Sequence, residues 1–277
     1  MNTENQKVWL ITGTSKGIGL DLTKLVLSLG HIVIATSRNT DALEKEIDLN
    51  KEHLYPVQLD ITSDKEVKMT IDRLVKELGK IDVVVNNAGY SLVGSMEEMT
   101  DEEFRATMDV NLFGTVNIIR NVMPYLRKQQ NGHIINISSN AGYIGFEKAA
   151  SYNAAKFGMI GLSEALAQEV NDFGIKVTVV APGQFRTQFM DSINYVKNRI
   201  DVYGVDEAEK MWSKHSGQQP GDPEKLVKIL VKITEMSKPP LHLLLGPDTY
   251  QLVTQKRKEE DAEFETWKAL TLSTDFD

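Results

Sequence analysis

The chain has 277 residues, 41% of them hydrophobic, enough to bury the core of one large α/β domain. It has no cysteine, so disulfides, thiolate metal sites and a cysteine nucleophile are excluded. With 31 basic against 39 acidic residues the net charge is -8, which argues against a nucleic-acid binder that works by neutralising phosphates.

The opening "MNTENQKVWLITG" is polar and then too briefly apolar for a signal-peptide core. No later run reaches the roughly 18 apolar residues of a membrane span, so a cytoplasmic protein without membrane contact is expected. Strands are predicted at Val8–Thr12, His31–Thr36, Leu54–Asp60, Ile81–Asn87, His133–Ser138, Lys176–Ala181 and Leu241–Gly246. Most are continuous apolar runs, the pattern of strands covered on both faces. Segments of helical period fill the gaps. One runs from Asp101 through "DEEFRATMDVNLFGTVNIIRNVMPYLRKQ", and another stops at Gly174. Asp222 and Pro223 read as the cap and first turn of a later helix. Repeated β-α units of this kind predict a parallel, doubly wound sheet with right-handed crossovers.

Directly after the first strand comes "TGTSKGIG", with Gly13, Ser15, Lys16, Gly17, Ile18 and Gly19 leading into a helical segment. Such a turn lets the backbone approach a pyrophosphate, and the free N–H groups and dipole of the helix favour its charge. The alternative is a tight turn with no ligand. At the end of the second strand, "ATSRN" puts Ser37 where a carboxylate would accept from a ribose 2′-hydroxyl, followed by Arg38. A guanidinium forks onto phosphate, and Lys16 adds a second cation, so the cofactor expected is NADP(H).

From this point the sequence resembles the short-chain dehydrogenase/reductase family. "TGTSKGIG" is similar to the family's cofactor turn and "NNAG", Asn86 to Gly89, to its fourth-strand motif. "DVNLFG" supplies Asn111, "INISS" supplies Ser139, "YNAAK" supplies Tyr152 and Lys156, and "APGQFRT" resembles the Pro-Gly motif after strand six. The resemblance implies a Rossmann-type, seven-stranded parallel sheet in the order 3-2-1-4-5-6-7. It also implies one domain over residues 1–277, with a substrate lid at about 185–217 and a C-terminal extension at about 247–277. The activity implied is hydride transfer between the nicotinamide and a ketone, aldehyde or secondary alcohol, with no metal. The partners implied are that small molecule and further copies of the chain, as a homodimer or homotetramer.

Protonating the alkoxide formed from a ketone needs a donor within hydrogen-bond reach, and tyrosine, with an ordinary pKa near 10, is a reluctant one. Lys156, one helical turn from Tyr152, is expected to lower that pKa. By resemblance Lys156 also holds the nicotinamide ribose, Ser139 polarises the carbonyl, and Asn111 supports a water joining the lysine to solvent. Ser138 has the wrong interval and reads as structural. Asp60 and Ile61 are expected at the adenine, Asn87, Ala88 and Gly89 at the ribose, and Gly183 and Thr187 at the carboxamide and pyrophosphate. Taken alone, Asn111 reads equally as a polar face residue or a helix kink. Two departures from the family pattern are Ala155, where serine is frequent, and Gln184 after the Pro-Gly pair.

Phe185, Phe189, Met190, Tyr195, Tyr203, Met211 and Trp212 give the lid an apolar, aromatic character, with Tyr90, Tyr143 and Phe146 approaching from the other side. A bulky apolar substrate follows from that composition. The charge-rich terminal helix reads as a solvated face, and the terminal pattern resembles a branch labelled 17-beta-hydroxysteroid dehydrogenase-like, a label that names no substrate. Two competing readings are an NADP(H)-sensing or scaffold protein without chemistry and an extended-branch epimerase. The complete Asn111, Ser139, Tyr152 and Lys156 set opposes the first, and the glycine spacing and chain length oppose the second.

Overall fold

A computed structural model describes residues 6–48 and 50–276, so the polar opening at residues 1–5 lies outside the described residues. The chain alternates strands and helices. It runs β1 (Val8–Thr12), α1 (Gly17–Ser28), β2 (Ile32–Ser37), α2 (Asp41–Glu46), β3 (Leu54–Gln58), α3 (Asp64–Leu78), β4 (Val83–Asn86) and β5 (Leu92–Val93). There follow α4 (Asp101–Met108), α5 (Gly114–Gln129), β6 (Gly132–Ile137), α6 (Ala150–Glu169), β7 (Ile175–Pro182) and β8 (Asn194–Tyr195). The last elements are α7 (Val205–His215), α8 (Pro223–Ile233), β9 (His242–Leu245) and α9 (Pro247–Thr271).

Seven strands form one parallel sheet in the order β3-β2-β1-β4-β6-β7-β9, the predicted 3-2-1-4-5-6-7 when only these strands are counted. The two further strands, β5 and β8, pair with each other in a small parallel ribbon that the sequence did not announce. Successive residues of β1 serve opposite faces, as a strand requires. Trp9 and Ile11 join Leu22, Val26, Leu27 and Leu230 beneath α1 and α8. Val8 and Leu10 join Ile71, Leu74, Ile118 and Val122 beneath α3 and α5. Each such side chain contributes about 1.5–3 kcal/mol by leaving water.

Local chemistry sets the boundaries. The third strand stops at Gln58 instead of reaching Asp60, because the Asp60 carboxylate accepts from the backbone N–H and hydroxyl of Thr62 at 2.9 and 2.8 Å and turns the chain. Asp222 caps α8 by accepting from Glu224 and Lys225 N–H, with Pro223 in the first turn. The helical segment expected from Asp101 divides in two. It starts at a capping box of Thr100 and Glu103, then passes through a π-helical turn over Asp109–Phe113 between α4 and α5. In that turn the Asn111 side chain donates to the Thr107 carbonyl at 2.9 Å, a competitor for the regular backbone ladder.

Candidate active site

The cleft lies at the carboxyl ends of the strands, beside β1, where the strand order reverses. Its volume is about 1100 Å³. At one end, Gly13 and Gly17 adopt φ of 70° and 57°, left-handed values that favour glycine. A Cβ on Gly13 would approach Ala88 Cα to 2.7 Å, so this turn and the fourth-strand motif share one surface. Thr12 ties them, its Oγ1 accepting from Asn87 and Ala88 N–H at 3.0 and 3.1 Å, while Asn87 Nδ2 donates to the Thr12 and Gly13 carbonyls. Gly19 does not line the cleft. It is packed against the Gly13 carbonyl and Asn87, where any Cβ would collide.

Ser15, Lys16, Gly17 and Ile18 line this end together with Ser37, Arg38, Asp60, Ile61, Asn87, Ala88 and Gly89. Lys16 and Arg38 are exposed at the rim, and no carboxylate stands at Ser37. Ile61 is held by Asn117 of α5, whose Nδ2 donates to the Ile61 carbonyl at 2.9 Å. These residues fit a dinucleotide: glycines admit the backbone close to a pyrophosphate, and the two rim cations suit a phosphate.

At the other end, Tyr152 and Lys156 project from adjacent turns of α6, both buried. Lys156 Nζ donates to the Ile137 carbonyl at 2.8 Å and sits 5.5 Å from the centre of the Tyr152 ring. Ser139 follows β6; its hydroxyl accepts from Ala141 N–H at 3.1 Å and donates to Asn140 Oδ1 at 3.0 Å. Ser138 turns the other way and donates to the Lys156 carbonyl at 3.0 Å. Burial pushes the Tyr152 phenol up to about 12, with the Ser139 side chain working in the opposite direction. Burial also holds Lys156 down at about 8. The lowering expected from the lysine does not appear in this environment, where loss of water is the largest influence on both groups.

Asn111 is fully buried and stands behind the cleft wall rather than in it. Its Oδ1 accepts from Tyr90 N–H at 3.1 Å and its Nδ2 donates to the Tyr90 carbonyl at 3.0 Å. Gly89, lacking a Cβ, leaves room for that amide and for Lys156 Nζ. The kink reading of Asn111 thus has a structural basis in the π turn.

Between the two ends lie Gly183 and Thr187, with Gln184, Phe185, Phe189, Met190, Met211 and Trp212 on one side and Tyr90 and Phe146 on the other. The Phe189 ring is centred 6.2 Å from that of Tyr152. Three expected aromatics are elsewhere. Tyr143 bonds His242 Nδ1 at 2.6 Å, Tyr203 donates to Glu97 Oε2 at 2.5 Å, and Tyr195 packs with Leu92 and Val196 around the small ribbon. Each of these hydroxyls or rings found a better partner than the cleft.

Two residues escaped the sequence reading. Gln188 Oε1 accepts from Gly17 N–H at 3.1 Å, reaching the anion end of α1 from the lid. Asp248, in the first turn of α9, accepts from Gln184 N–H at 2.9 Å and packs against Gly183. For Asp248 the available signal was the "GPD" helix start; for Gln188 it was only the neighbouring Thr187.

Among the described residues no helix is long and apolar enough to cross a membrane, and no cluster of His, Cys, Asp or Glu is arranged to hold a metal. Comparison with known proteins agrees with this architecture. Residues 7–198 match the short chain dehydrogenase family. Oxidoreductase BOA17 of Botryotinia fuckeliana is 36% identical over 271 residues, covering 97% of this chain and 99% of its own. The solved structure of a short-chain dehydrogenase from Streptomyces avermitilis is 32% identical, covers 98% of this chain and 100% of its own, and superposes with a TM-score of 0.90. ElxO, solved with NADP bound, is 29% identical over 87% of this chain and 96% of its own, with a TM-score of 0.73. A matching sheet order, a glycine turn facing a buried tyrosine and lysine, and relatives along nearly its whole length together establish that this chain belongs to the short-chain dehydrogenase family of oxidoreductases.

Proposed function

We propose that the protein is an NADP(H)-dependent carbonyl reductase, reversible to alcohol dehydrogenase, acting on a bulky apolar ketone, aldehyde or secondary alcohol. The observation that carries this reading is one continuous cleft with Lys16 and Arg38 at one end and Tyr152, Ser139 and Lys156 at the other. When bound, the nicotinamide supplies or accepts the hydride. Lys16 and Arg38 bind the 2′-phosphate, and the Gly13 to Gly19 turn binds the pyrophosphate with Thr187. Asp60 and Ile61 meet the adenine, and Asn87, Ala88 and Gly89 the adjoining ribose. Ser139 donates a hydrogen bond to the carbonyl oxygen. Tyr152 delivers its phenolic proton to that oxygen as negative charge develops there. Lys156 holds the nicotinamide ribose hydroxyls and, when charged, stabilises the phenolate left behind. Asn111 acts through the backbone of Tyr90, keeping the cleft wall in register with Lys156. The lid at about 185–217 excludes water with Phe189, Met190, Met211 and Trp212.

NADPH consumption against a panel of ketones and aldehydes tests this reading. Turnover of apolar ketones is expected, and Tyr152→Phe should lower it about 10²- to 10⁴-fold while NADPH binding stays intact. A fully active Tyr152→Phe enzyme would assign the proton to another group. Failure of every carbonyl compound, with NADPH binding retained, would favour a cofactor sensor.

A further inference from the structure

Glu98 stands between β5 and α4, outside the cleft lining, and is only 1% exposed. A carboxylate so far from water is costly unless its oxygens are matched. Oε2 accepts from Ser95 N–H at 2.9 Å within its own turn, and Oε1 accepts from Ile200 N–H, 102 positions along the chain, at 2.7 Å. Two neighbouring carboxylates bond the same distant stretch. Glu103 Oε1 accepts from Lys197 N–H at 3.2 Å, and Glu97 Oε2 accepts from the Tyr203 hydroxyl. The β5–β8 ribbon adds Asn194 N–H to the Ser91 carbonyl and Val196 N–H to that of Val93, at 2.8 and 3.0 Å. Residues 194–203 therefore form a strap bonded along its length to residues 91–103.

This strap links two walls of the cleft. Gly94, so close to Val196 that a Cβ would collide, donates its N–H to the Lys148 carbonyl at 2.8 Å, just ahead of Tyr152 in the chain. On the other side, Arg199 pairs with Asp206 and Glu209 of α7, and Val205 packs on Leu92 and Val196. Helix α7 in turn brings Met211 and Trp212 to the cleft. We propose that Glu98 is a positioning residue for the substrate: by pinning the strap it sets where α7 stands relative to Tyr152, and so how large a molecule the cleft receives. What enters the cleft rests on the reductase reading; the pinning does not. A neutral amide cannot replace the carboxylate, because it offers one acceptor oxygen to two N–H groups and turns a donor toward the other.

Hydrogen exchange and fluorescence on the full chain test this. In Glu98→Gln, exchange across residues 194–215 is expected to quicken on the order of 10- to 100-fold, the loss of one hydrogen bond to a charged group, while the sheet strands keep their wild-type rates. Bound NADPH takes up excitation from nearby tryptophan, and the share sent by Trp212 is the part that Trp212→Phe removes. That share is expected to fall in Glu98→Gln with NADPH affinity unchanged, whereas a residue that merely upheld the core would weaken binding and quicken exchange in the sheet as well. Arg199→Gln serves as a second variant at an exposed position, so a misfolded Glu98→Gln does not end the test. It cuts the strap from α7 but leaves Glu98 its partners, and the same loss of transfer is expected with Ile200 still slow to exchange. Unchanged exchange over 194–215 in Glu98→Gln, acceleration spread evenly through the sheet, or undiminished transfer in either variant overturns the proposal. Exchange requires no ligand, so it decides on Glu98 even where NADPH fails to bind and the reductase reading falls.

Discussion

Tyr152 and Lys156 are two ionisable groups that burial drives toward neutrality, the phenol up to about 12 and the amine down to about 8. The phenol therefore keeps its proton across the working range, as a donor to a carbonyl must, and the lysine is the group that titrates there. As pH rises through about 8, Lys156 loses the charge that, in the proposed mechanism, stabilises the phenolate left on Tyr152. NADPH-dependent reduction is expected to fall over that interval in a pH profile of kcat/KM, and a profile flat to about pH 10 would exclude Lys156 as the titrating group. The same shift bears on stability. The native state gives up the lysine proton near 8, whereas the unfolded chain holds it to the ordinary value of 10.5. Lys156 thus costs stability below about pH 8, and the cost is relieved as pH rises toward 10.5. At the cofactor end, Arg38→Asp removes a fork for phosphate and adds a repelling charge. NADPH affinity measured by fluorescence titration should drop on the order of 10- to 100-fold with NADH little affected, and equal losses for both would remove the 2′-phosphate argument.

At the scale of elements, the interruption between α4 and α5 and the cap of α8 do different work. The π turn exists because the Asn111 amide takes the Thr107 carbonyl and both backbone groups of Tyr90. Asn111→Ala leaves those buried groups unpaired at about 1–3 kcal/mol each, so urea denaturation should show a large loss and turnover should fall even where the protein stays folded. Asp222→Ala removes a cap from a helix none of whose residues lines the cleft. Its expected cost is about 1 kcal/mol in the same experiment, with turnover unchanged. An Asn111→Ala enzyme with normal turnover would mean that the turn does not position Lys156.

For the whole molecule, the cleft joins segments that lie far apart in the chain, from the β1 turn to Trp212 of α7. A ligand spanning it should stabilise all of them at once. NADPH at about 100 times its dissociation constant is expected to add about 2.7 kcal/mol to the unfolding free energy. Thermal melts in NADPH and in NADH at equal concentration check this, and the larger rise in Tm is expected with NADPH.

The apolar runs and glycine punctuation of the sequence by themselves determined the seven sheet strands, because a strand buried on both faces has few ways to be written. Spacing likewise determined that Tyr152 and Lys156 share a helix face and that Arg38, without an acidic neighbour at Ser37, ends the second strand. What only the tertiary structure decided was each side chain's choice among competing partners. Asn111 reads as helical until Tyr90 is brought against it; Tyr143 and Tyr203 read as pocket aromatics until His242 and Glu97 claim their hydroxyls. The protonation of Tyr152 also belongs to this level, since spacing announces the nearby lysine but not the burial that pushes the phenol up. Local patterns record how a residue sits on its own element. Desolvation and long-range hydrogen bonds depend on which other elements arrive.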